Sequence, residues 1–147
     1  MMLQTQTPTA ALMFLGSRAR ILATGAETGG AFALVEMIDM PPGDQPPLHV
    51  HHNEDEGFYV IDGEATLSMP GREITLRAGD FFLAPRGVPH TYCVGPDGAH
   101  CLVTSSPAGF EDFVAEVAAL ETPDPESLGA AAARYGIEIL GPPGMRP

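Results

Sequence analysis

The sequence predicts an all-β fold with a short C-terminal helical extension, and three observations predict it. The 17 Gly and 15 Pro of its 147 residues break the chain into many short segments. The apolar runs between those breaks have the length of strands, not of helices. Only after residue 108 does the hydrophobic spacing change to a helical one.

The first strands are expected at Arg18–Ala23 and Ala31–Met40, joined by a Gly-rich turn across Thr24–Gly30. Ala31–Met40, AFALVEMIDM, is apolar at both parities, whereas a strand with one face in water should alternate. Both of its faces are therefore expected to be covered, the outer one by the tail helices or by a second subunit. Further strands are expected at Leu48–His51, Gly57–Ile61, Glu64–Ser68, Glu73–Arg77, Phe81–Ala84, Thr91–Val94 and Ala99–Ser105. Asp62-Gly63 and Pro70-Gly71 are hairpin signals, and Gly95–Gly98 resembles a hairpin between Cys93 and Cys101. No internal repeat divides this body, which occupies 1–108.

Residues 109–147 form the tail. Phe110, Phe113, Val114, Val117 and Leu120 fall at helical spacing, with Glu111, Asp112, Glu116 and Glu121 off that stripe. Gly109 precedes the helix and Pro123 ends it. A second helix is expected over Pro125–Tyr135, with Glu126 in its first turn and Gly136 as its stop. Ile137–Leu140 then adds a short strand or docks. The apolar stripe is expected to pack on the outside of the body in preference to forming a lid.

Composition narrows the class. A chain of 147 residues that is 44% hydrophobic can bury one core, so barrel and tail are expected to make a single domain. The net charge is −12, and every basic residue is Arg. Such a surface repels phosphate backbones and anionic lipid, so neither nucleic acid nor a membrane is an expected partner. No apolar run reaches transmembrane length, and the first residues lack a basic segment and a long apolar core. A cytoplasmic protein with Cys93 and Cys101 as reduced thiols is the resulting expectation.

The chemistry concentrates in Gly43–Gly63, GDQPPLHVHHNEDEGFYVIDG. His49 and His51 stand two apart and so share one face of a strand. The polar turn His52–Asp55 lets Glu56 return beside them on the next strand. Imidazoles and a carboxylate converging on one point can hold a divalent transition metal. Downstream, Gly79–His90 reads GDFFLAPRGVPH, a strand and a Pro/Gly turn, with His90 opening the strand TYCV as a fourth donor. A lone histidine in a strand is most often structural; four donors at matched spacing require that reading to fail four times together. His52 lies on the opposite face and His100 has no partner in sequence, so both are expected at the surface. Glu54 and Asp55 are expected as turn residues, although either would compete with Glu56 if the turn were shifted. Phe58, Val60 and Tyr92 share parity with the donors and should line a cavity for a small-molecule substrate, whereas Tyr59 should pack outside.

Gly43, His49, His51, Glu56 and Gly63 match the first cupin motif in type and spacing, and Gly79, Pro85, Gly87 and His90 match the second. Glu64–Ala78 separates the two motifs, as in compact cupins. One position departs: the second motif usually ends in Asn, and here Val94 stands there. The resemblance implies a jelly-roll β-barrel in which His49, His51, Glu56 and His90 bind one divalent transition metal, Fe, Mn, Ni, Cu or Zn. Three neutral imidazoles and one carboxylate leave such a site near +1 in charge, able to stabilise a chelated enolate. The segments PPLHVHHNEDEGFYVIDGE and APRGVPHTY resemble the small single-domain cupins grouped with quercetin 2,3-dioxygenase. Cupins with three His and one Glu include dioxygenases that cleave flavonols and other enolic compounds. The expectation is thus a metal-dependent dioxygenase of a small enolisable aromatic or polyketide-like metabolite, with Glu56 as ligand and catalytic base. Related cupins are isomerases, cyclases or lyases, or bind small molecules without turnover, and these remain the alternatives. The apolar outer faces of Ala31–Met40 and Gly57–Ile61 further predict a homodimer.

Overall fold

A computed structural model describes residues 9–147. Its strands are β1 (Leu12–Phe14), β2 (Ser17–Ala23), β3 (Ala33–Met40), β4 (Pro47–His51), β5 (Asp55–Met69), β6 (Arg72–Arg77), β7 (Phe81–Ala84), β8 (Thr91–Ser106) and β9 (Ile137–Pro143). Three helices join them: α1 (Gly25–Thr28), α2 (Phe110–Ala118) and α3 (Pro125–Arg134). An antiparallel sheet runs β1-β2-β3-β8-β5-β6, with β7 also on β5, and β4 pairs with β9 in a second, two-stranded sheet.

The long strands β5 and β8 bend together. Sequence signals divided each into two, with turns at Asp62-Gly63 and Gly95–Gly98. Both signals mark irregularities within one ladder, where the register shifts between Val60 and Asp62 and again between Gly63 and Ala65. Gly63 pairs with Ala99 at φ 77°, and a Cβ there would meet the Gly98 carbonyl oxygen at 2.0 Å. Glycine at that point is a packing requirement of the bend, not of a hairpin. Cys93 and Cys101 consequently lie on one strand, both as free thiols. Pro70-Gly71 is a true turn, because Met69 pairs with Arg72.

Strand β3 does alternate. Ala33, Val35, Met37 and Met40 are buried in the core, while Leu34, Glu36 and Ile38 on the other face are half-buried. The core inside the barrel also takes Val60, Leu67, Val94, Cys101 and Val103. The turn expected at Thr24–Gly30 is a one-turn helix, capped by Thr24 and Glu27 reciprocally and stopped by Gly29 in the left-handed region.

The tail departs most from expectation. Phe110 and Phe113 point inward, each packing edge-on against Phe14 at ring separations of 6.1 and 5.9 Å. Val114 and Val117 are fully buried behind them. Asp124 caps α3 by accepting from the Ser127 amide at 2.7 Å, and Pro125 sits at its start. Gly136, at φ 69°, ends the helix against Asn53. The chain then enters β9, which pairs Ile137 with His51 and Ile139 with His49. Among the described residues no helix is long and apolar enough to cross a membrane.

Candidate metal centre

Strand β4 projects His49 and His51 to the interior, and β5 begins by placing Glu56 beside them. His90 is locked to β4 by two backbone bonds, His90 N–H to the His49 carbonyl at 2.9 Å and His49 N–H to the His90 carbonyl at 3.2 Å. Gly87 N–H donates to the His51 carbonyl at 2.8 Å, so the second motif's turn is tied to the first motif's strand. One donor atom from each of His49, His51, Glu56 and His90 falls within 4.8 Å of all the others. His51, Glu56 and His90 are buried, and His49 is half-buried.

The outer nitrogens orient the rings. Nδ1 of His49 lies 2.7 Å from the Pro47 carbonyl, Nδ1 of His51 lies 2.8 Å from Glu54 Oε1, and Nδ1 of His90 lies 3.3 Å from the Val88 carbonyl. An Nδ1 facing an acceptor carries the hydrogen, which leaves each Nε2 as a lone pair turned toward the site. Yet His51 Nε2 stands 2.9 Å and His90 Nε2 3.1 Å from Glu56 Oε2, itself acceptor-only when ionised. Lone pairs at that range repel unless a cation lies among them. The donor set therefore fits a divalent metal ion.

Protonation answers the same need when no metal is considered. Burial disfavours a charged His51, but the Glu56 and Glu54 carboxylates outweigh it and raise the ring to about 10. Burial would likewise raise Glu56, but His51 and His90 outweigh it and hold its carboxyl well below the usual range. His49 is lowered to about 4, by burial first and by the neighbouring His90 second. The pocket thus favours one compact positive charge beside Glu56, and a metal would supply it with all three rings neutral.

Glu54 is the residue that sequence reasoning missed. It is not a surface turn residue: it is 2% exposed and holds His51 Nδ1. The local signal was a carboxylate three residues after a candidate ligand. Asp55 does not compete with Glu56 either, because it accepts from the Arg86 backbone at 2.9 Å and pairs with the Arg86 side chain at 3.2 Å. His52 is exposed, as read from its parity, beside Glu138 at 2.9 Å. His100 does have a partner, Glu36 on β3 at 2.9 Å.

Three of the donors, His49, His51 and Glu56, line a cavity of about 780 Å³. Phe58, Val60 and Tyr92 line it, and so do Phe110 and Phe113 from α2 and Leu128 from α3. The tail is therefore a wall of this cavity, with the Phe110 ring 5.7 Å from that of His51. Burial, with the charges of Asp44 and Glu56, pushes the Tyr92 phenol further above its ordinary range, so it stays an O–H. Val94, in place of the motif's Asn, is buried, and its backbone bonds Gly43 and Asp44 at 2.9 Å each.

The family profile described as a cupin domain matches residues 36–105, from β3 to the end of the β8 ladder. Residues 36–105 are a cupin domain. Quercetin 2,3-dioxygenase of Bacillus subtilis is 39% identical over 74 residues, 50% of this chain and 22% of that protein. The oxalate-binding protein of Thermotoga maritima is 31% identical over 58 residues, 40% of this chain and 48% of that one. This cupin thus matches less than half the length of either relative. Among solved structures, an RmlC-like cupin from Shewanella frigidimarina superposes with a TM-score of 0.61 at 28% identity, covering 72% of this chain and 89% of its own.

Proposed function

We propose that this cupin is a metal-dependent dioxygenase of the quercetin 2,3-dioxygenase kind, acting on a small enolisable aromatic or polyketide-like molecule. One observation carries the reading: three imidazoles and one carboxylate cluster together, and His49, His51 and Glu56 of that cluster line a large apolar cavity that no arginine lines. The 39% identity to a quercetin 2,3-dioxygenase supports it.

His49, His51, Glu56 and His90 would hold a divalent ion such as Fe, Mn, Ni, Cu or Zn. When bound, that ion supplies Lewis-acid stabilisation of an enolate and, if redox-active, an electron path between enolate and dioxygen. The chain's own groups do the rest. Glu54 and the Pro47 and Val88 carbonyls hold the rings by Nδ1 and leave each Nε2 for the ion. A Glu56 carboxylate oxygen accepts the enol proton. Phe58, Val60, Phe110 and Phe113 exclude water and press a flat ring against the donors.

The likeness to an oxalate-binding protein suggests a carboxylate ligand instead. A small dianion would enter a cavity far larger than itself, beside Asp44 and Glu56, with no arginine to receive it. The neutral enolic ligand fits better.

Metal analysis of the purified protein together with oxygen uptake on a panel of enolisable aromatics tests this reading. The expected result is one divalent ion per chain and uptake that depends on it. Turnover without oxygen consumption would transfer the protein to the isomerase, cyclase or lyase class. Binding without any turnover would make it a carrier.

A further inference from the structure

Outside the donor quartet the cavity wall carries Ser17, Gln45 and Asp124, and a further pair of polar side chains, Asp44 and Tyr92. Backbone bonds bring them together. Gly43 N–H donates to the Val94 carbonyl at 2.9 Å, and Val94 N–H donates to the Asp44 carbonyl at 2.9 Å. Asp44 N–H closes the turn on the Pro41 carbonyl at 3.1 Å. The chain before β4 is thereby strapped to β8 two residues from Tyr92.

Tyr92 also has a defined place along the wall. Its ring lies 6.3 Å from that of Phe58, which in turn lies 6.1 Å from that of His90. The phenol is thus one aromatic ring further along from the donors. Among the described residues its hydroxyl has no hydrogen-bond partner, and the Asp44 carboxylate takes only the Gln45 amide. Neither group is neutralised: no arginine lines the cavity, and the chain contains no lysine. A half-buried carboxylate and a half-buried phenol O–H that line one apolar space leave polar atoms there for a ligand to satisfy.

We propose that Asp44 and Tyr92 form a second anchor, which binds a hydroxyl group at the far end of a neutral ligand whose enolic end reaches the metal donors. A hydroxyl both donates and accepts, so it can give its hydrogen to Asp44 and take that of Tyr92. A carboxylate or phosphate could accept from Tyr92 but would meet a like charge at Asp44. The anchor selects for hydroxylated, uncharged ligands, and it rests on the enolic-aromatic reading of the site only for what lies at the other end.

The test is anaerobic calorimetric binding of flavonol and of flavonols bearing one extra hydroxyl on either outer ring, to metal-loaded protein. The parent should bind at least one hydroxylated probe about ten-fold or more tighter than flavonol, the usual worth of a buried bond to a charged group. Asp44→Ala should erase that preference and leave the affinity for flavonol itself unchanged; Tyr92→Phe should narrow it. Thermal midpoints of both variants establish that they fold. Equal affinity of the parent for every probe, no binding of any probe, or an equal loss for all probes in both variants overturns the anchor. The same probes in air separate the two ideas. A hydroxyl preference without oxygen uptake sinks the dioxygenase and keeps the anchor, whereas uptake without any preference does the reverse.

Discussion

Glu54 Oε1 lies 2.8 Å from His51 Nδ1, and both side chains are 3% exposed. A carboxylate behind a ligating imidazole fixes its tautomer and raises its basicity as a ligand. Glu54→Ala should weaken metal binding by about 10–100-fold, the usual effect of removing such a partner. Competition against a chelator of known affinity measures it, and an unchanged dissociation constant would make Glu54 merely a buried acid. Glu54→Gln tests the charge alone, because its amide oxygen can still accept.

Replacing both His49 and His51 with Ala should abolish stoichiometric metal, since two donors cannot close the shell. His52→Ala, on the exposed side of the same segment, should leave it intact. Metal at about one hundred times its dissociation constant should stabilise the parent by about 2.7 kcal/mol and the double variant not at all. Thermal melts with and without chelator read the difference.

Glu56→Gln retains shape and a carbonyl oxygen but not a base. Turnover should fall by about 10²–10⁴-fold while metal is only partly lost. His90→Ala should lower metal and turnover together, because an imidazole whose Nδ1 faces the Val88 carbonyl has only Nε2 to offer. A Glu56→Gln enzyme as active as the parent would reduce that carboxylate to a ligand.

Phe110 touches Phe14 and Phe113 and lies 5.7 Å from His51, so it belongs to both the core and the cavity wall. Phe110→Ala should cost about 3 kcal/mol of stability and should raise KM more than it lowers kcat. Denaturant unfolding and steady-state kinetics check the two halves. An unchanged KM in a folded variant would place substrate away from α2.

Tyr59, Ile61, Phe81 and Leu83 are exposed on the outer face of β5 and β7, and neither tail helix covers them. Burying them against a second copy predicts a dimer of twice 15.4 kDa at micromolar concentration. Phe81→Asp should shift light scattering to the monomer mass. A parent that is already monomeric at that concentration would rule the dimer out.

Much of this site is legible in the sequence because its information is local. Two-residue periodicity sets His49 and His51 on one face, and short turns return Glu56 and His90 to the same interior, where Phe58, Val60 and Tyr92 follow by parity. Strand existence is local too, apart from β1, whose three residues carry no pattern of their own. What the sequence alone could not decide is what distant segments do to a residue. Gly63 and Gly98 carry the same φ preference in a hairpin or in a bulge, and only the pairing of β5 with β8 along their full length selects the bulge. Glu54 is polar enough for a surface turn; burial beside His51 gives its charge a partner. The stripe of α2 fits any apolar surface, and it turns to the cavity because β9 pairs with β4 and draws the tail over the barrel mouth. Periodicity fixes which side of an element is apolar, whereas contacts between segments far apart in the chain decide what that side meets.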